Sequence, residues 1–524
     1  MSGLVLNKNL SKTKICFYFS LIISGGFIFR YIFFPFDIPL VLDSLSYFWY
    51  GIDLSVTKNF PVNHDLANNL WPTFLSLFFS LTNSENYLDF MFIQRNISIF
   101  FSIMTSIPMY FLAKRFVKKE IALIAPLFFI FEPRIIENSL SGVTEPMFIF
   151  FVVSALALFF SNQKKLILFS FVLAGILCLV RYEGLIMVLS MFGIMFFRFK
   201  KEKKDLIYPM SAIGIFLLVI MPMSLVQIDT QGYDGIFSHV GVGANVVSQD
   251  VFSADPEHTK FFPQIGLTNF LKLLGWVLIP SYIIFLPIGI FYFFKNRDDK
   301  KIQLIIIGLF AIIPAFYAYS RGISDTKYLF VIYPILIIFV LNCVDWLTRK
   351  WPRKYNFKIM MIIFLIATSF FFLNYKDENA HNREVFSILS ENIEGVKVVN
   401  HLNLGISSYF SSAILHNENN FPKTQDNIRN NIRILDIDNY NSIDELLKSE
   451  HFIDEYGHDI NKDGRKITHL IIDNSSTVKD FLQELYENET KYPYITKIYD
   501  SKDDGYSYHI KIFKINYEIF SLQN

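Results

Sequence analysis

Apolar residues in this chain come in long blocks separated by short charged segments. Eleven blocks are candidate membrane spans, at about 14–34, 89–113, 120–131, 143–160, 166–180, 184–197, 206–226, 273–294, 302–319, 328–347 and 359–373. Repeated blocks of this length predict an α-helical polytopic membrane protein. A helix needs about 20 apolar residues to cross the hydrocarbon. The block 120–131 and the pair flanking Arg181 fall short of that. Charges at the ends of such short spans are expected below the outer surface, in a wet cavity enclosed by other helices, because charge at membrane depth is tolerated only there.

The connecting segments alternate in character. Lys114-Arg115…Lys118-Lys119, Gln163-Lys164-Lys165, the run Arg198–Lys204, Lys295…Lys301 and Arg349…Lys354 are basic, and with eleven spans all fall on the side of the N-terminus. Positive charge marks the cytoplasmic face, so the N-terminus is expected inside and everything after the last span outside. The outer segments are then 35–88, 132–142, 181–183, 227–272, 320–327 and the tail. From Asn374 the chain turns polar. Helical patterns near 383–394, 442–451 and 476–489 and strand patterns at 396–400, 467–473, 494–499 and 506–515 predict a small extracytoplasmic α/β domain over 374–524, with a turn at Asp503-Asp504-Gly505. The membrane part is expected over 1–373.

Composition agrees with this. Of 524 residues 52% are hydrophobic and 17% aromatic, with 58 Phe, and the mean hydropathy is +0.36. The net charge is only +1, and no nucleic-acid partner is expected. Cys16, Cys178 and Cys343 lie in or beside apolar spans and offer neither a disulfide framework nor a metal spacing. Lys8, Lys12 and Lys14 precede an apolar run that continues past Arg30 without a small-residue cleavage site, which reads as a retained anchor rather than a signal peptide.

Candidate chemistry gathers in the outer segments. Asp43-Ser44-Leu45-Ser46-Tyr47 follows the first span, with Leu45, Phe48, Trp49 and Ile52 at helical spacing. This predicts a helix lying along the membrane interface, apolar face down. Asp43 there is a candidate base for a substrate arriving in the lipid, and equally a candidate N-cap. Glu145 follows Thr144 at the outer end of the fourth span; a first-turn carboxylate behind a Thr144 or Ser141 cap is the plainer reading. Arg181-Tyr182-Glu183-Gly184 sets opposite charges between two short spans. It reads either as a neutralised turn or as a guanidinium placed for phosphate. Lys327, with Arg321 nearby, adds a cation that either binds substrate or snorkels. Asp459–Gly464 matches the first half of a calcium loop, but Leu470 stands where a bidentate acid is needed, so an Asp/Asn/Gly turn is favoured.

In their order and shared outer-face placement these residues resemble the GT-C superfamily of multi-span glycosyltransferases. The branch they resemble contains dolichyl-phosphate-mannose protein mannosyltransferases, aminoarabinose-lipid A transferases and rhizobial galacturonosyltransferases. The resemblance covers roughly 14–345. It rests on Asp43…Tyr47, the proline-led Leu70-Trp71-Pro72-Thr73-Phe74, Gln94-Arg95-Asn96-Ile97-Ser98, Thr144-Glu145-Pro146, Arg181-Tyr182-Glu183-Gly184-Leu185 and Lys327-Tyr328-Leu329. There are departures. Ser44 stands where many relatives carry Glu, Lys327 where Arg is usual, and the Trp-Trp-Asp motif of oligosaccharyltransferase subunits is absent.

The resemblance implies transfer of a sugar from a polyprenyl-phosphate donor to a hydroxyl of a protein, lipid or glycan on the outer face, by one inverting displacement. Asp43 would be the base and Arg181 the leading phosphate ligand, assisted by Lys327 or Arg321. Glu145, Glu183 and Tyr47 would complete the substrate site. No cofactor is implied and no His/Asp cluster demands a metal, although Asp37, Asp43, His64 and Asp65 leave room for a divalent ion. A transporter or flippase of a lipid-linked or anionic solute is the main alternative, but coupled transporters carry ionisable groups at mid-membrane, whereas these gather at one face. A non-catalytic membrane scaffold is a second alternative.

Overall fold

The structure is a computed structural model that describes residues 12–62, 66, 68–84, 86–199, 203–252, 262–295, 298–350, 354–375, 383–384, 397–399, 432–434, 440–449, 466–473 and 480–523. In chain order the helices are α1 (Lys12–Ile32), α2 (Asp43–Thr57), α3 (Leu70–Phe79), α4 (Tyr87–Met104), α5 (Ser106–Ala113), α6 (Lys119–Ala122), α7 (Ala125–Ile130), α8 (Pro133–Leu140), α9 (Glu145–Phe159) and α10 (Lys164–Val180). They continue as α11 (Gly184–Phe199), α12 (Ile207–Gln231), α13 (Phe237–Phe252), α14 (Pro263–Leu278), α15 (Leu286–Lys295), α16 (Asp299–Ser320), α17 (Tyr333–Lys350) and α18 (Lys354–Tyr375). The chain divides into two compact units, residues 1–34, 62–71 and 95–376, and residues 35–61, 72–94 and 377–524.

The first unit is a helical, multi-pass membrane assembly. Among the described residues five helical stretches are long and apolar enough to cross a bilayer: Thr13–Ile32, Tyr87–Ala113, Ile207–Gln231, Asp299–Ser320 and Thr326–Lys350. Other expected spans are present as shorter apolar helices, among them Glu145–Phe159, Gly184–Phe199 and Leu286–Lys295. Three expectations are corrected. The block 120–131 is two short helices, α6 and α7, rather than one span. The block 273–294 is interrupted between α14 and α15, where Pro280 donates no hydrogen bond and holds Ile279 in extended backbone (φ −88°, ψ 138°). The outer segment 227–272 is largely helical, taken up by the end of α12, by α13 and by the start of α14.

Arg30 shows what such packing requires of a charge. It is fully buried on α1, and its guanidinium donates to Ser139 Oγ of α8 at 3.0 Å and Ser102 Oγ of α4 at 2.9 Å. Two further bonds go to the carbonyls of Ile130 at 3.2 Å and Gly26 at 3.3 Å. These bonds tie α1 to α4, α7 and α8. Elsewhere helices approach until no side chain fits. A Cβ on Gly289 of α15 would run into the Phe339 carbonyl of α17, whereas one on Gly275 of α14 would meet nothing within 4 Å.

In the second unit α2 buries Leu45, Phe48, Trp49 and Ile52, the face expected from the sequence. It is covered by protein rather than by lipid: Phe48 packs on Phe79 and Tyr87 at 5.7 and 6.1 Å between centroids, and Trp49 on Tyr87 at 5.4 Å. That replaces the expected interfacial helix, because aromatic rings from α3 and α4 supply the apolar cover. The tail contributes a five-stranded sheet of order β2-β1-β3-β5-β4, with β1 at Lys397–Val399, β2 at Ile432–Ile434, β3 at His469–Asp473, β4 at Ile495–Asp500 and β5 at Ile510–Ile515. β1 is parallel to β2 and β3, and β5 is antiparallel to β3 and β4. The turn at Gly505 has the positive φ (77°) its glycine allows. β5 starts at Ile510 rather than 506, since Ser501 Oγ accepts from Ile510 N and donates to the Tyr508 carbonyl, both at 2.7–2.8 Å, and so ends the ladder. The short strand β2 lies outside every expected strand. Ile443–Lys448 and Asp480–Glu487 are helices α19 and α20, inside expected helical stretches. The calcium-like loop 459–464 and most of 383–394 lie outside the described residues.

Two stability outcomes follow. Gly289→Ala should cost about 1–3 kcal/mol by overpacking α15 on α17, while Gly275→Ala should be neutral or mildly stabilising; thermal unfolding of the purified protein in micelles reads both. Arg30→Ala should strand the Ser102 hydroxyl and the Ile130 carbonyl, each orphan costing about 1–3 kcal/mol, while Ser139 keeps its bond to the Ile136 carbonyl. A variant melting within 1–2 °C (roughly 0.5 kcal/mol) of the parent would remove Arg30 from the forces holding the bundle.

Candidate active site

A polar cluster forms where three turns of the first unit converge. Gly142 takes φ 73° between α8 and α9, a conformation that reverses the chain and starts α9 at Glu145. Arg95 Nε of α4 bonds the Leu140 carbonyl at 3.1 Å and Ser98 Oγ bonds the Val143 carbonyl at 3.3 Å, which fixes this turn. Thr144 makes no side-chain cap. The capping reading of that motif therefore fails, and Glu145 sits in the first turn of α9, where the helix dipole favours a carboxylate.

The second turn joins α10 to α11. Arg181 ends α10 in extended backbone, Gly184 N bonds the Arg181 carbonyl at 3.1 Å, and Leu185 N bonds the Tyr182 carbonyl at 2.9 Å. Asn68 Oδ1 accepts from Tyr182 N at 2.7 Å. Gly184 lets the helices close up here: a Cβ would crowd the tip of the Leu177 side chain and lie 3.0 Å from Phe148. So tight a turn directs Arg181 and Glu183 the same way. Arg181 Nη1 pairs with Glu145 Oε1, and Nη2 with Glu183 Oε1 at 2.8 Å. The side chains of Arg181, Glu145 and Glu183 are only 11%, 4% and 17% exposed. The neutralised turn is thus part of a larger clamp that spans 36 residues of sequence.

The third turn is the 3₁₀ segment Thr326–Ile332, capped by Asp325, whose carboxylate accepts from Lys327 N at 2.9 Å and pairs with Lys327 Nζ at 3.2 Å. Arg181 and Lys327 approach the Tyr328 ring, at 5.7 and 5.9 Å from its centroid. Glu145, Glu183, Arg181, Lys327 and Tyr328 line one cavity with Phe148 and Pro314, whose water-accessible volume is about 30 Å³. That is room for about one water. Among the described residues Glu145 Oε2 and Glu183 Oε2 have no hydrogen-bond partner, so the cavity offers two acceptors and two cations.

The structure thus brings together Arg181, Glu145, Glu183 and Lys327. Arg321 is exposed, donates to Tyr317 Oη at 3.1 Å, and does not line the cavity. Asp43 and Tyr47 belong to the second unit. There Leu42 (φ 51°) holds the cap position of α2 and Asp43 is its first residue, which removes the N-cap reading of Asp43. Gln94 Nε2 bonds the Ser44 carbonyl at 2.8 Å beside it. Asp37 pairs with Arg383 at 2.9 Å, and the adjacent Glu384 accepts from Ser507 Oγ and Tyr508 N at 2.7 and 3.0 Å. Among the described residues no group of three or more His, Cys, Asp or Glu is arranged to hold a metal ion; His64 and Asp65 lie outside them. Two neighbours of the clamp were not legible in the sequence. Asp325 had no spacing to distinguish it, and His239 of α13 packs against Tyr182 (tilted) and Tyr233 (edge-on) at 5.0 and 5.1 Å between centroids.

Comparisons with known proteins concern the fold that carries this arrangement. Residues 71–225 match the family described as dolichyl-phosphate-mannose-protein mannosyltransferase. Among solved structures the chain is similar to ArnT from Cupriavidus metallidurans bound to undecaprenyl phosphate, with a TM-score of 0.59 at 10% identity over 94% of this chain and 97% of that one. It is also similar to the oligosaccharyltransferase of Archaeoglobus fulgidus in the apo form, with a TM-score of 0.54 at 11% identity over 88% and 70% of the two chains. The same archaeal enzyme in complex with an inhibitory peptide and a dolichol-phosphate gives 0.52 at 11% identity over the same shares. A comparison with curated protein sequences finds no match. At these identities the likeness is one of fold, and the fold is GT-C.

The clamp makes a thermodynamic prediction. Arg181→Met leaves Glu145 and Glu183 without their counter-charge and should cost about 3–5 kcal/mol, whereas adding Glu145→Gln should restore part of it. Denaturation of single and double variants in micelles measures the coupling; losses that simply add would show the pair to be independent.

Proposed function

We propose that this protein is a membrane glycosyltransferase that moves a sugar from a polyprenyl-phosphate donor to an acceptor hydroxyl on the extracytoplasmic face, by one inverting displacement. The observation that carries the reading is the closed cluster of Arg181, Lys327, Glu145 and Glu183 at the ends of four helical elements in a GT-C fold. The matched family and ArnT, whose structure holds undecaprenyl phosphate, support the donor class.

The chemistry asks little of the protein. A lipid phosphate leaves as a stable anion, so it needs cations rather than an acid. Arg181, held edge-on by two carboxylates, and Lys327 supply them, and Arg321 is a more distant assistant. The free oxygens Glu145 Oε2 and Glu183 Oε2 are acceptors suited to hydroxyls of the transferred sugar. The cavity holds about one water (30 Å³), so donor binding requires the turn 181–183 and the 3₁₀ segment to part. Asp43 serves as the base that takes the acceptor proton, with Tyr47 on the same helix orienting the acceptor, and no metal or cofactor is invoked. In this reading 1–373 is the catalytic membrane domain, 374–524 an extracytoplasmic domain, and the N-terminus cytoplasmic; the basic turns at 114–119, 164–165 and 295–301 support that orientation. The acceptor is a protein, lipid or glycan.

The test is sugar transfer by purified protein in liposomes supplied with polyprenyl-phosphate sugars. Asp43→Asn should lower kcat about 10²–10⁴-fold, the usual contribution of a general base. Arg181→Lys should raise KM for the donor more than it lowers kcat. Undiminished transfer by Asp43→Asn sinks the base assignment, and absence of transfer by the parent protein with every donor offered overturns the function.

A further inference from the structure

The end of α9 opposite Glu145 borders a different feature. Here α4 runs on into α5 through Thr105, whose backbone stays helical (φ −58°, ψ −23°), and Pro108 stands in the first turn of α5. Phe100, Met104, Ile107 and Phe111 on this pair face Phe150, Ser154 and Leu158 of α9 across an apolar groove of about 630 Å³, which Leu166 of α10 also lines. That volume falls within the ~300–1,000 Å³ of ordinary ligand sites. The rims are open to the surroundings: Phe100, Ile107 and Phe111 are 49%, 39% and 47% exposed.

One end of this groove is cationic. Arg115 lines it, and among the described residues its Nε is out of solvent and without a hydrogen-bond partner. Lys114 lies over the Phe111 ring at 5.8 Å from the centroid. Lys118, Lys119 and Lys165 are exposed in the flanking turns; of the acids beside them among the described residues, Glu120 follows Lys119 and Asp205 pairs with Lys164 at 3.2 Å. The reaction cluster lies elsewhere, since Ala157 of the groove and Glu145 of the clamp are roughly 18 Å apart along α9 at 1.5 Å per residue. An apolar slot ending in unneutralised cations is complementary to an amphiphile with one negative headgroup.

We propose that this groove is a binding site for an anionic glycerophospholipid of the bilayer, one acyl chain lying between α5 and α9 and the phosphate resting on Arg115, at the membrane face opposite the Arg181 clamp. The inference rests on the membrane reading of the first unit and not on the transfer reaction. The lipid packs along α9, the helix whose other end carries Glu145. The polyprenyl donor is left to the other end of the helix.

Native mass spectrometry of the full-length protein, titrated with palmitoyl-oleoyl phosphatidylglycerol, its phosphatidylcholine counterpart and undecaprenyl phosphate, tests this. The expected result is one tightly retained phosphatidylglycerol, favoured over phosphatidylcholine by about fivefold or more, the preference one arginine beside an anionic headgroup confers. Arg115→Gln should abolish that preference and leave phosphatidylcholine binding unchanged, Arg115→Lys should keep most of it, and Ser154→Phe should lower retention of both lipids by filling the groove. Arg115 is at the mouth of the groove, so its variants are expected to elute and melt as the parent does. Equal retention of the two phospholipids by the parent, an undiminished preference in Arg115→Gln, or displacement of phosphatidylglycerol by equimolar undecaprenyl phosphate would each overturn the proposal.

Discussion

A guanidinium among apolar helices must find its hydrogen-bond partners in the protein, because lipid has none to offer. In this molecule that constraint is met twice, by different means. Arg30 is satisfied by serine hydroxyls and carbonyls from α4, α7 and α8, and so cements the bundle. Arg181 is satisfied by two carboxylates, each of which keeps a second oxygen without a partner. The first arrangement uses up its hydrogen-bonding capacity and is structural. The second leaves acceptor capacity unused on residues that line a cavity, which makes it a candidate site rather than a brace.

The clamp depends on backbone features that carry no charge. Gly142 reverses the chain before α9, and Gly184 lets α11 start against Leu177 and Phe148. Arg95 holds the Leu140 carbonyl and Asn68 holds the Tyr182 amide. Because the guanidinium is fixed from both sides, the phosphate contact proposed for it would cost little further side-chain entropy. The same fixation closes the site to about one water, and opening is therefore coupled to breaking an ion pair.

Much of this was legible in residue order. Arg181-Tyr182-Glu183 and Thr144-Glu145 stood at the ends of short spans, and short spans ending in charge have few places to put it. The pairing of Lys327 with Asp325 was not legible, since a snorkelling lysine and a capped one look alike in a sequence. Arg321 had the same apparent standing as Lys327, yet the turn after α16 carries it away to Tyr317. The buried face of α2 is legible in the sequence but its cover is not, because Leu45, Phe48 and Trp49 would pattern alike against lipid or against Phe79 and Tyr87. The break at Pro280 was overlooked for a related reason: hydropathy averages over a proline, and the backbone does not.

The sequence by itself determined the class of molecule. Blocks of apolar residues force helices in a bilayer, and the polar tail with alternating strands has to form a separate sheet. Those outcomes depend on local composition and period, which residue order states directly. Only the tertiary structure decided which charges meet: that Glu145, 36 positions before Arg181, closes on it, that Arg321 does not, and that α2 is roofed by aromatic rings. Those are long-range contacts, set by how helices pack and where glycines let them approach.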